Sequence, residues 1–133
     1  MRMSCHLTAL VSLALIVGCG RTPDKPTTRT YPVRGKVLLA NGQPLPSGTV
    51  VFHAKLPPGN DAMSLIHRDG SFALGTFGKD DGAVPGEYVV TVSAQPAKRL
   101  PGAIPKRFLK EEESPLKVTV NEGANELAPF TLR

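Results

Sequence analysis

The sequence predicts an all-β fold, a seven-stranded antiparallel β-sandwich set behind a leader and a short linker. Three observations predict it. Apolar residues alternate with polar ones at a period of two in short runs, the pattern of half-buried strands. Turn-forming pairs, Asn41-Gly42 and Asp69-Gly70 among them, fall between the runs. Nothing after the leader repeats at the helical period, and such a pattern of short strands and turns packs as two sheets.

Residues 1–18 read as a lipoprotein signal peptide. Arg2 supplies the basic start, Leu7 to Val17 an apolar run, and Gly18 a small residue at the cut. The run is too short for a membrane-spanning helix, which needs about 20 apolar residues. Ile16, Val17, Gly18 and Cys19 together resemble a lipobox, in which cleavage before Cys19 is coupled to acylation of its sulfur. Of the two cysteines, Cys5 leaves with the leader, so the processed chain has no partner with which Cys19 could form a disulfide. Packing alone must then hold the fold. Acyl chains anchor by about 0.8 kcal/mol per buried methylene, and stable anchoring takes two signals.

Residues 19–32 form the linker, marked by Pro23, Pro26 and Pro32 among Thr, Lys and Arg. Apart from Arg2, the formal charge of +5 is concentrated in residues 21–36, which span the linker and the start of the first strand and carry a net +4. Arg21, Lys25, Arg29, Arg34 and Lys36 face only Asp24, whereas from residue 37 onward ten basic and ten acidic residues cancel. The basic stretch reads as a solvated spacer, and it could also be drawn to anionic headgroups. A neutral domain with two Tyr and no Trp argues against nucleic-acid binding.

Residues 33–133 are one domain. Val33, Gly35, Val37 and Leu39 alternate with Arg34, Lys36 and Leu38, and Asn41-Gly42 then turns the chain through residues that both tolerate positive φ. Thr49 to Ala54 places Val50 and Phe52 on one face, Val51 and His53 on the other. Ser64 to His67 and Phe72 to Phe77 flank Arg68-Asp69-Gly70-Ser71, a hairpin signal. Pro85-Gly86 ends a loop and opens Glu87 to Ser93, apolar on both faces and therefore central. Four prolines between residues 94 and 115 exclude a long helix or strand. Leu116, Val118 and Val120 make a half-buried strand, and Ala128, Phe130 and Leu132 the last inward row. Pro129 marks that row as an edge or a bulge.

Several of these segments carry a family resemblance. Val33-Arg34-Gly35-Lys36-Val37, Asn41-Gly42-Gln43-Pro44-Leu45 and Val50-Val51-Phe52 resemble the opening of carboxypeptidase regulatory-like domains, which share the transthyretin-like (prealbumin) sandwich, close to the Ig-like type. Asp69-Gly70-Ser71-Phe72 is similar to their second hairpin. The segment from Asp81 to Tyr88 is similar to small bacterial lipoproteins of this kind, and the likeness continues through Ile104 to Phe108, Ser114 to Leu116 and Gly123 to Glu126. The resemblance implies that Gly35 makes room for a crossing backbone and that Pro85-Gly86 bends the chain to deliver Tyr88 inward. Ile66-His67 departs from the family's Thr-Asp, which removes a turn-capping carboxylate. The superfamily includes a purine-pathway hydrolase ending in Tyr-Arg-Gly-Ser. This chain ends Phe130-Thr131-Leu132-Arg133, so that activity does not carry over.

Chemistry-bearing residues are few. His53 and His67 are the only histidines after the leader, and zinc wants three or four protein ligands. No Gly-x-Ser-x-Gly nucleophile elbow is present. Asp80-Asp81-Gly82 is the best carboxylate pair, but it reads as a turn and lacks the spaced ligands of a calcium loop. No catalytic residue, metal or cofactor is therefore expected. The expected protein is a monomer held at the bacterial cell envelope by an acylated Cys19, facing the periplasm or the exterior. It would act as an interaction or structural module for an envelope protein or glycan, through a strand edge or the residue 94–115 loop. A carbohydrate-binding module is the alternative, and a small extracytoplasmic hydrolase a weaker one.

Overall fold

A computed structural model describes residues 28–57, 59–94 and 104–133. The expected signal peptide and lipobox, with Ile16, Val17, Gly18 and Cys19, and most of the expected linker lie outside the described residues. The chain forms β1 (Val33–Leu39), β2 (Gly48–Ala54), β3 (Ala62–Ile66), β4 (Ser71–Ala73), β5 (Gly86–Ser93), a 3-10 turn (Lys106–Leu109), β6 (Lys117–Val120), β7 (Asn125–Glu126) and β8 (Phe130–Leu132). They make two four-stranded sheets. One runs β3-β2-β5-β6, all antiparallel; in the other, β1 is flanked by β4 on one side and by β7 and β8 on the other.

The alternation read from the sequence sets which side of each strand is buried. Val33, Val37 and Leu39 of β1 and Val50 and Phe52 of β2 point into the core, with Tyr88, Val90, Val92, Val120 and Leu132. Each such side chain gains about 1.5–3 kcal/mol on burial. Aromatic rings fill the centre. Phe72 stacks on Phe130 at 6.1 Å and 9°, and Phe52 lies tilted against Phe72, Tyr88 and Phe130 at 5.9–6.3 Å. As expected, β5 is central, lying between β2 and β6 and buried from Tyr88 to Val92.

Three expectations are corrected. First, the sandwich is not wholly antiparallel, because β7 and β8 both run parallel to β1. Second, the described residues contain eight strands, since the C-terminal stretch is split. The register steps from Arg34↔Glu126 to Val37↔Phe130, so one extra residue sits on the C-terminal side, the bulge that Pro129 demands. Ala128 is consequently exposed and Leu127, not Ala128, packs against the core. Third, the strand expected over Phe72 to Phe77 ends at Ala73 as β4, and Phe77 lies on the following loop, 62% exposed.

The β3–β4 connection is a turn between sheets. Its ends are pinned: the His67 N–H donates to the Ser71 carbonyl at 2.9 Å, and Met63 and Gly75 exchange two hydrogen bonds of 3.0 Å. At the midpoint Leu65 and Ala73 stand opposite each other in the same register but form no bridge. The strands part there because each belongs to a different layer, and layers pack about 10 Å apart.

Candidate functional site

The turn positions singled out in the sequence serve shape, each by a specific contact. A Cβ on Gly35 would lie 2.6 Å from Phe72 Cζ and 2.9 Å from Cε1. The room at Gly35 is thus taken by an aromatic ring from the paired strand, not by a crossing backbone, since Gly35 and Phe72 are register partners. Within each of the two turn pairs the glycine alone adopts positive φ, 83° at Gly42 and 81° at Gly70. Asn41 and Asp69 instead contribute side chains. Asn41 Oδ1 accepts from the Gln43 N–H at 2.9 Å, and Asp69 Oδ1 from the Ser71 N–H at 3.0 Å and hydroxyl at 2.6 Å. The Ser71 bonds, with Lys36 nearby, hold the Asp69 carboxyl below its ordinary pKa. After Pro85-Gly86, Tyr88 does enter the core, and its hydroxyl donates to the Val84 carbonyl at 2.6 Å.

One histidine joins a polar cluster. His53 lies on the outer face of β2 with Nδ1 3.3 Å from Asp61 Oδ2 and 3.8 Å from Glu111 Oε2, and with Nε2 2.9 Å from Thr91 Oγ1. A carboxylate at Nδ1 calls for the proton there, so in the neutral ring Nε2 accepts from the Thr91 hydroxyl. This carboxylate–imidazole–hydroxyl string was not foreseen. Asp61 lies eight residues from His53 and Thr91 thirty-eight, and only the pairing of β2 with β3 and β5 brings them together.

The string has the order of a hydrolytic triad, but Thr91 is placed poorly for attack. It lies mid-strand on β5, 8% exposed, in register with Val51. The string instead ties segments down. Asp61 Oδ1 also accepts the Ala54 N–H at 3.0 Å, and Glu111 brings the segment after the 3-10 turn against β2. Ser114 Oγ, donating to the Val90 carbonyl, fastens the same segment to β5. Among the described residues no group of three or more His, Cys, Asp or Glu side chains is placed to hold a metal ion.

A second site is a cleft of about 540 Å³ between β3 and the loop after β4, running over the parted Leu65–Ala73 midpoint. Met63, Leu65 and Phe77 line it at 55%, 63% and 62% exposure, with His67, Lys79 and Asp80 at its rim. Asp81 braces the loop: Oδ1 accepts the Thr76 N–H at 2.7 Å and Oδ2 the Phe77 N–H at 3.2 Å. Thr76 Oγ1 donates to the Gly82 carbonyl at 2.8 Å, and the Gly82 N–H to the Leu74 carbonyl at 2.8 Å. Asp80, at φ 55°, is the one non-glycine residue with positive φ among the described residues. The Asp80-Asp81-Gly82 pair is therefore the turn expected, with Asp81 turned toward its own backbone. The alternation Ala62, Met63, Ser64, Leu65, Ile66 was the available signal for the cleft, because it puts two large apolar residues on the outward row.

No family model, curated protein or solved structure matches the chain. Among the described residues no helix is long and apolar enough to cross a membrane.

Proposed function

We propose that this chain is a lipid-anchored protein of the bacterial cell envelope. Its β-sandwich, transthyretin-like in type and related to carboxypeptidase regulatory-like domains, works as a non-catalytic interaction or structural module. The observation that carries this reading is the cleft beside β3. It is open and apolar, and it sits on a loop whose backbone is held by Asp81. Exposed apolar side chains gathered in one place mark contact surfaces more often than scattered ones do. The buried hydroxyl of Thr91 supports the non-catalytic side of the reading, since a nucleophile must be reachable by its substrate.

Crosslinking in intact cells from a photoreactive residue at position 77, with partners identified by mass spectrometry, tests the module. A discrete partner, lost when unlabelled protein competes, is expected. Purified protein that turns over an ester, amide or glycoside and loses that activity on His53→Ala would sink it. A carbohydrate-binding module is the second reading, favoured by the exposed Phe77 ring next to Lys79 and Asp80. Sugar rings stack on such faces, and a glycan array would register it.

A further inference from the structure

We infer that the cleft beside β3 docks an extended peptide segment of a partner protein. That segment would place an apolar side chain against Met63, Leu65 and Phe77 and an acidic residue against Lys79. This rests on the interaction-module reading and names its ligand. Among the described residues five large apolar side chains are exposed, and three of the five line this one cleft. Its volume, about 540 Å³, lies in the range of small-ligand and side-chain pockets.

The chemistry of the floor suits a polypeptide. Two residues on from the doubly bonded Met63–Gly75 pair, antiparallel alternation directs the main-chain groups of Leu65 and Ala73 toward each other across the slot, with no bridge between them. Ser64 Oγ meets the Leu65 carbonyl at 2.9 Å and covers one of them. A peptide unit offers the matching acceptor and donor. Phe77 is held outward before any ligand arrives, because its own N–H and that of Thr76 are gripped by Asp81, and such preorganisation lowers the cost of binding.

Charge selects the flanking residue. Lys79 lines the cleft and has no carboxylate within 4.0 Å among the described residues; Asp80 is the single acid lining the cleft. Two other occupants fit less well. A second copy of the chain would need about 600 Å² from each partner, whereas three partly exposed side chains offer on the order of 300 Å². Pairing of β3 with another β3 is also blocked where Met63 and His67 already bond to Gly75 and Ser71. A glycan would use one aromatic face and leave the aliphatic Met63 and Leu65 without a role.

The test uses the acylated chain in phosphatidylcholine nanodiscs. The probes are a fluorescent peptide alternating Leu or Phe with Glu, its counterpart with Lys for Glu, and soluble peptidoglycan fragments as competitors. Anisotropy is expected to show the acidic probe binding about tenfold more tightly than the basic one. Phe77→Ala and Leu65→Ser should each weaken it about tenfold without moving the unfolding midpoint, and Lys79→Glu should reverse the preference. Equal or absent binding of the two probes, displacement by the glycan fragments, or dimers in sedimentation that Phe77→Ala dissociates would each overturn the inference. Specific crosslinks from photoreactive residues placed outside the cleft would then leave the module standing, while the absence of specific crosslinks from every position would remove both.

Discussion

At the scale of single residues, two side chains show how closely the core is fitted. Phe72 lies over Gly35, and Gly35→Ala would drive a methyl into the ring edge at 2.6 Å. A loss of about 1–3 kcal/mol is expected from overpacking of this kind, measured by urea unfolding. Phe72→Leu in the same chain should remove most of that penalty, and strictly additive effects would show the contact is not the cause. Tyr88 is the other. Burial, with the negative charge of Asp61, raises its phenol pKa above the ordinary tyrosine value. The unfolded chain therefore ionises first as pH climbs past about 10. Stability from Tyr88 is whole below that pH and is lost as pH rises through the folded-state value. Tyr88→Phe should flatten that alkaline slope, while costing about 1 kcal/mol at neutral pH for the bond to Val84.

At the scale of elements, the segment from Gly75 to Gly82 joins stability to the proposed site. Asp81→Ala removes the acceptor for two backbone N–H groups, and a loss of about 2 kcal/mol is expected. Amide exchange at Thr76 and Phe77 should quicken, and peptide binding should weaken with it. Unchanged exchange at both amides would show that Asp81 does not brace the loop. The split of the last strand is a second case of local chemistry shaping an element. Pro129 cannot donate to a ladder, and the register beside β1 shifts by one residue across it. That bulge was legible from one proline. The parallel direction of the pairing was not, because strand direction depends on which neighbour the chain returns to, and alternation is the same either way.

At the scale of the whole molecule, the proposed envelope location is tested at Cys19. Cys19→Ala should leave the precursor unprocessed or release the protein from the membrane fraction, as read by fractionation and lipid labelling. Unaltered fractionation and labelling would refute acylation at this residue. The linker after it is basic and proline-marked, whereas its end is already part of the fold: Tyr31 and Ala83 exchange two hydrogen bonds of 2.9 Å. The chain thus enters the sandwich beside the Gly82 turn, at the base of the braced loop.

The sequence by itself determined the β character, the inward rows of β1, β2, β5 and β6, and the main turns, because alternation and turn chemistry are local and repeat within a few residues. It also supplied Cys19 and the apolar run before it, on which the proposed envelope location rests. Only the tertiary structure decided which residues share a site. His53 meets Asp61, Thr91 and Glu111, and Met63 and Leu65 meet Phe77, through pairings between distant segments that no local pattern encodes. The cleft exists because β3 and β4 belong to different layers and must part between two pinned ends, a consequence of sheets packing at a distance that one side chain cannot bridge.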